Sequence, residues 1–140
     1  ITYFIKTTPP IAFTGDTLFS AGCGKIFEGT ASMLYASLEK INNLPKNTKI
    51  YCGHEYTLNN LNFAETIEPK NMAIKAHVNW CKEQIENNLH TVPSTLELEQ
   101  RINPFLRCQT NEIKNAILKT TKKHSSAEIF AQLRQWKDTF

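Results

Sequence analysis

Signals for extended chain stop near residue 52, and from about residue 57 onward every apolar pattern has helical spacing. ITYFIKT alternates apolar and polar residues, TTPP breaks the run, and IAFTGD forms a second one that ends at Gly15-Asp16. These two stretches predict a hairpin turning through Pro9-Pro10, and TKIYCG predicts a third strand. Between them a helix opens at Thr30, with Leu34, Leu38 and Ile41 on one face, and Leu44-Pro45 stops it. Further on, Thr57 is the expected N-cap of a helix carrying Leu58, Leu61 and Ile67. Residues 71 to 88 predict a longer helix with Ile74, Val78, Cys81 and Ile85 on one stripe. Ser94 with Glu97 and Ser125 with Glu128 have capping-box spacing. The first opens a short helix; the second opens the last one, whose face is Ile129, Leu133 and Trp136. Residues around 111 to 119 are expected to be helical as well. This order predicts an α+β chain: the end of an α+β domain over residues 1–57, then a helical domain over 58–140, with no strand beyond position 57.

A chain of 140 residues accommodates one domain or two small ones sharing a boundary. It holds no run of about 18 apolar residues, so no membrane span is expected. Its first residue is Ile1, already inside a strand pattern, which marks the chain as the expected tail of a longer protein. The net charge of +3 is unevenly spread. Residues 1–100 carry 8 Lys and Arg against 10 Asp and Glu, whereas residues 101–140 carry 8 against 3. A basic last third suits an anionic metabolite, a solvated face or nucleic acid. Cys23, Cys52, Cys81 and Cys108 include no C-x-x-C pair and are expected to be reduced thiols in a cytoplasmic setting.

Asp16 and His54 each sit just past a strand, and strand ends that meet loops are where sites form. A carboxylate and a neutral imidazole are the right types to share a metal, although G-D-T is also a good turn sequence and His54 could equally be a surface or capping residue. GCGK fails the phosphate-loop pattern because Ile26 stands where Ser or Thr should be, which leaves Lys25 as an anion ligand or an exposed lysine. Cys52 reads as a packed strand cysteine. Arg134 and Lys137, three apart on the last helix, share a face. Such a pair can grip a carboxylate, at about 1.5–3 kcal/mol per charge-assisted bond once water is excluded. His77, His90 and His124 have no partners at ligand spacing and read as surface or packing residues.

Together FTGDTLFSAGCGKIFEGT, YCGHEYTLNNLNFA, TVPSTLELEQRINPFLR and the terminal LRQWKDTF resemble successive landmarks of glyoxalase II, the hydroxyacylglutathione hydrolases of the metallo-β-lactamase superfold. The resemblance implies the C-terminal half of a metallo-β-lactamase-like αββα sandwich followed by a small all-helical glutathione-binding domain. It implies hydrolysis of S-D-lactoylglutathione, a thioester, to glutathione and D-lactate at a centre of two divalent metals (Zn, Fe or Mn). Asp16 would be the carboxylate bridging the two metals and His54 a ligand to one of them. Lys25, Phe27, Tyr56, Arg134 and Lys137 would contact glutathione, whose two carboxylates give the basic last third a reason that needs neither nucleic acid nor membrane.

Two departures from the family pattern matter. Position 27 is Phe where the family usually carries Tyr, so one hydroxyl contact is missing. The family's T-H-x-H-x-D-H metal motif is absent, so the chain alone is expected to lack most metal ligands and to be inactive. Three readings follow: the C-terminal portion of a glyoxalase II, a stand-alone glutathione-conjugate-binding module or half of a split enzyme, and a helical interaction protein. In the first two, the missing N-terminal half or self-association would cover the apolar face left by the absent sheet. The expected location is cytoplasmic, with an organelle left open because a targeting segment would precede Ile1.

Overall fold

The structure, a computed structural model, describes residues 1–117 and 124–140. Strand β1 (Tyr3–Ile5) pairs antiparallel with β2 (Ile11–Gly15), which forms the hairpin expected through the two prolines. β2 then leads into a two-stranded antiparallel hairpin, β3 (Leu18–Phe19) and β4 (Gly22–Cys23), which occupies much of the Gly-rich stretch and which no sequence pattern announced. Helix α1 (Ala31–Asn42) returns the chain so that β5 (Lys49–Cys52) pairs parallel with β2. Thr30 caps α1 through its side chain, and Leu38 and Ile41 are buried as the spacing predicts.

The helical part comprises α2 (Thr57–Ile67), α3 (Met72–Glu86), α4 (Leu96–Ile102), a 3-10 turn at Pro104–Leu106, α5 (Asn111–Ile117) and α6 (Ser126–Asp138). Among the described residues the sequence was misleading in five places. A sixth strand, β6 (Ser94–Thr95), pairs antiparallel with β5 and gives the sheet the order β1-β2-β5-β6, so the chain beyond position 57 is not purely helical. Two residues are too few for an alternating pattern to register. Because Ser94 belongs to that strand, the cap of α4 is Thr95, whose hydroxyl accepts from the amide of Leu98.

The other three departures concern single side chains. Thr57 is the first helical residue of α2 rather than its cap, because its hydroxyl turns to that of Thr91 at 2.8 Å. Ile85 is exposed: the Leu61, Ala64 and Ile102 side chains of α2 and α4 cluster with Ile74, Val78 and Cys81 only, so the stripe ends at Cys81. Trp136 is half-exposed, its ring edge-on to Phe63 at 5.9 Å. The Ser125–Glu128 capping box of α6 forms as expected. The end of the helix expected over 111 to 119 lies outside the described residues.

One hydrophobic core crosses position 57. Ala12, Leu18, Leu38 and Ile50 cluster with Phe63, Leu96, Phe105, Ile113, Phe130 and Leu133. The opposite face of the sheet is open: Tyr3 stands across from Phe13, and Phe13 across from Tyr51, with ring centroids of the latter pair 5.4 Å apart. Tyr3 is 65% exposed and Phe13 44%. No described helix is long and apolar enough to cross a membrane.

A candidate site at the ends of two parallel strands

Because β2 and β5 run parallel, both leave the sheet at the same edge, and their next residues are Asp16 and Gly53-His54. A backbone bond from the Gly53 amide to the Gly15 carbonyl, 3.0 Å, ties the two exits together. The Asp16 Oδ1 and His54 Nε2 atoms consequently lie 3.6 Å apart with both side chains more than half exposed. Two absent side chains make this possible. A Cβ on Gly53 would stand 2.6 Å from Asp16 Oδ1, and one on Gly24 would stand 2.0 Å from the Asp16 carbonyl oxygen. The His54 ring stacks on Tyr56 at 5.1 Å and 16°, and Phe19 of β3 packs against both, at 6.1 and 5.2 Å.

Between them Glu55 points elsewhere. Its carboxylate accepts from the Thr91 amide and, at 2.8 Å, from the Thr91 hydroxyl. His90 Nδ1 also lies 3.1 Å from it, and His90 is a surface residue, as expected. These bonds hold the Glu55 carboxyl below the usual carboxylate range, the Thr91 amide being the largest cause.

The far side of the site comes from α6. Lys137 Nζ bonds Asn59 Oδ1 at 2.9 Å and lies 5.0 Å from the ring centres of both Phe63 and Phe140. Burial, and then the charge of Arg134, lower the Lys137 pKa. Arg134, on the same face, is turned into the protein. It is 4% exposed and donates to the carbonyls of Cys23 at 3.0 Å and Gly24 at 3.4 Å, while its other terminal nitrogen meets Asp138 at 2.9 Å. Its main visible work is therefore to hold the start of the Lys25 loop. Beside it the Cys23 thiol is pushed up to about 12 by burial and is no nucleophile. Cys52 is only half-buried and donates to the His54 carbonyl at 3.2 Å. All four cysteines are free thiols.

Asp16, Lys25, Phe27, His54, Tyr56, Arg134 and Lys137 all border one cleft of about 690 Å³. Phe19, Asn59 and Asn60 border it too, and sequence reading missed all three. A cleft of about 720 Å³ elsewhere, around Glu68, Lys70 and Arg101, is slightly larger. Its best anion ligand, Arg107, is already paired with Glu68. The Asp16 cleft has the more versatile chemistry: an oxygen and an imidazole nitrogen side by side, aromatic walls and lysines across from them. That donor pair suits a divalent zinc, iron or manganese ion. Among the described residues, no group of three or more His, Cys, Asp or Glu converges to hold a metal.

Fold and cleft together define an α+β protein with a cleft at the ends of two parallel strands. The model of the hydroxyacylglutathione hydrolase C-terminus matches residues 55–140, and the chain belongs to this family. It is 46% identical over 130 residues to the hydroxyacylglutathione hydrolase of Shewanella denitrificans, covering 91% of this chain and 50% of that protein. With the hydroxyacylglutathione hydrolase of Chromohalobacter salexigens it shares 44% identity over 140 residues, 100% of this chain and 55% of the relative. With that of Pseudomonas aeruginosa the figure is 42% over 142 residues, again 100% and 55%. The chain thus spans about half the length of the relatives it matches.

Proposed function

We propose that this chain is the C-terminal portion of a hydroxyacylglutathione hydrolase, a thioester hydrolase that cleaves S-D-lactoylglutathione to glutathione and D-lactate. The observation that carries this reading is the single cleft bordered by Asp16 and His54 together with Lys25 and Lys137. Residues 1–57 would supply the metal-binding edge, as the end of a metallo-β-lactamase-like domain, and residues 58–140 the glutathione-binding wall. The two parts share a core, so the division is one of roles.

Asp16 and His54 are the residues that would hold metal. A divalent pair, when bound, supplies Lewis-acid polarisation of a thioester carbonyl and a nucleophile at neutral pH. Lys25 and Lys137 attract the carboxylates of glutathione, Tyr56 offers its hydroxyl, and Phe27 an apolar contact. Arg134 keeps the Lys25 loop in place and adds positive potential behind it. One carboxylate and one imidazole are too few to hold two cations against water, so the isolated chain is inactive. Its open sheet face, with Tyr3, Phe13 and Tyr51, is where the N-terminal half would pack. The site faces cytoplasmic substrate, and neither nucleic acid nor membrane is a partner.

The test is calorimetric titration of the chain with glutathione, together with a thioester hydrolysis assay before and after adding the N-terminal half of the Shewanella denitrificans hydroxyacylglutathione hydrolase. Glutathione binding with turnover only in the complemented sample is expected. Metal-dependent turnover by the chain alone would overturn its inactivity, and absence of glutathione binding in both samples would overturn the substrate. Binding without turnover in the complemented sample, with the chain itself dimeric, would favour a stand-alone binding module.

A further inference from the structure

We propose that Glu99, which does not border the cleft, is a positioning residue that sets the wall formed by the β3–β4 hairpin. Glu99 lies on α4 and is 0% exposed. A carboxylate removed from water needs donors around it, and this one has three. Ser20 Oγ donates at 3.0 Å, the Ala21 amide at 2.8 Å and Asn103 Nδ2 at 3.0 Å. Two of these belong to the turn between β3 and β4. There Ala21 has φ +56, a left-handed conformation uncommon for a residue with a side chain.

The remaining polar groups of the turn find partners on the same helical elements. Asn103 also donates to the carbonyls of Phe19 at 3.3 Å and Gly22 at 3.0 Å, and Asn60 donates to that of Ser20 at 3.0 Å. The hairpin is therefore pinned from α2, α4 and the residue after α4. What it carries is the site: Phe19 packs against His54 and Tyr56, and Gly24, next after β4, lies against the Asp16 backbone. An apolar residue at position 99 would leave the buried Ser20 hydroxyl and Ala21 amide without their acceptor, while Asn103 would keep its two carbonyl partners. The geometry thus links the identity of one α4 side chain to the arrangement of the cleft.

The test uses the full 140-residue chain and compares Glu99→Ala and Glu99→Gln with Leu133→Ala, a core truncation on α6 that leaves the bonds between Glu99 and the turn in place. Amide exchange and ring-proton NMR are the readouts. In Glu99→Ala, exchange at Ala21 and Gly22 is expected to accelerate about tenfold more than at Leu38 and Phe63, as local opening requires. The His54 and Tyr56 ring signals are expected to move as Phe19 shifts. Glu99→Gln, which keeps one acceptor oxygen, should lie between Ala and wild type, and it carries the comparison if Glu99→Ala does not fold. Leu133→Ala should lower the melting temperature and leave those ring signals in place. A Glu99 variant that melts lower but keeps wild-type ring signals and hairpin protection would overturn the proposal. Neither readout needs a ligand, so failure of glutathione to bind would count against the proposed substrate and not against Glu99.

Discussion

The Arg134 guanidinium meets the Cys23 carbonyl at 3.0 Å across 111 residues of sequence and joins the last helix to the loop that carries Lys25. Substituting Ala would leave the buried carbonyls of Cys23 and Gly24 without this donor and free Asp138. We expect Arg134→Ala to cost about 3 kcal/mol, the range for losing a buried charged donor. A thermal melt should fall by roughly 10 °C for a chain of this size. Arg134→Lys should recover only part of this, since one ammonium cannot span both carbonyls and Asp138.

Gly24 tests how closely that loop must approach Asp16. A methyl at this position would stand 2.0 Å from a backbone oxygen, too near for any rotamer to relieve. Gly24→Ala should destabilise the chain by more than about 2 kcal/mol through forced backbone movement. Denaturant midpoints measured on both proteins check this, and an unchanged midpoint would contradict the close approach.

Phe27 offers a change at the opposite extreme. Its ring is 88% exposed at the mouth of the cleft, so Phe27→Tyr should leave the melting temperature within a degree or so. If the cleft takes glutathione, the added hydroxyl supplies a neutral hydrogen bond of about 0.5–1.5 kcal/mol, or about 2- to 10-fold in affinity. Calorimetric titration of the two proteins with glutathione reads this directly.

Asn59 holds Lys137 from the side, at 2.9 Å. Removing that acceptor frees the ammonium to swing away from the cleft. If the cleft takes glutathione, Asn59→Ala should weaken that binding by about 2- to 10-fold, the value of one modest hydrogen bond. The melting temperature should change little, because the Asn59–Lys137 bond is exposed. Equal affinities for the variant and the wild type would show that Lys137 needs no such support.

His77 predicts a pH dependence of stability. Burial lowers its pKa below the usual 6.5, and its Nε2 is buried with no partner. The folded protein therefore binds fewer protons at this ring than the unfolded chain. Its contribution to stability is complete above pH 6.5 and is lost as pH falls through the lowered folded value. Denaturation midpoints measured from pH 7.5 downward should decline more steeply for wild type than for His77→Gln; parallel curves would contradict the assignment.

How far the sequence was readable follows the range of the interactions. Asp16 and His54 were visible because a strand pattern ending at a loop is a local signal, and parallel pairing did the rest. Helix spacing put Arg134 and Lys137 on one face correctly, but it carries no information on burial, and the carbonyl partners of Arg134 are more than a hundred residues away. Glu99 carried no local signal, since two of its three donors lie 78 and 79 residues back. Thr57 and Ser94 failed as caps for a related reason: a tertiary hydroxyl partner and a two-residue strand pairing displaced the local preference.

Helix α6 brings Arg134 and Lys137 to a cleft whose other side is Asp16 and His54. During synthesis the early strands leave the ribosome well before that helix does. The nascent chain accordingly passes through a stage in which the Asp16–His54 edge has formed no closed cleft, and the cleft is complete only once translation has passed Lys137.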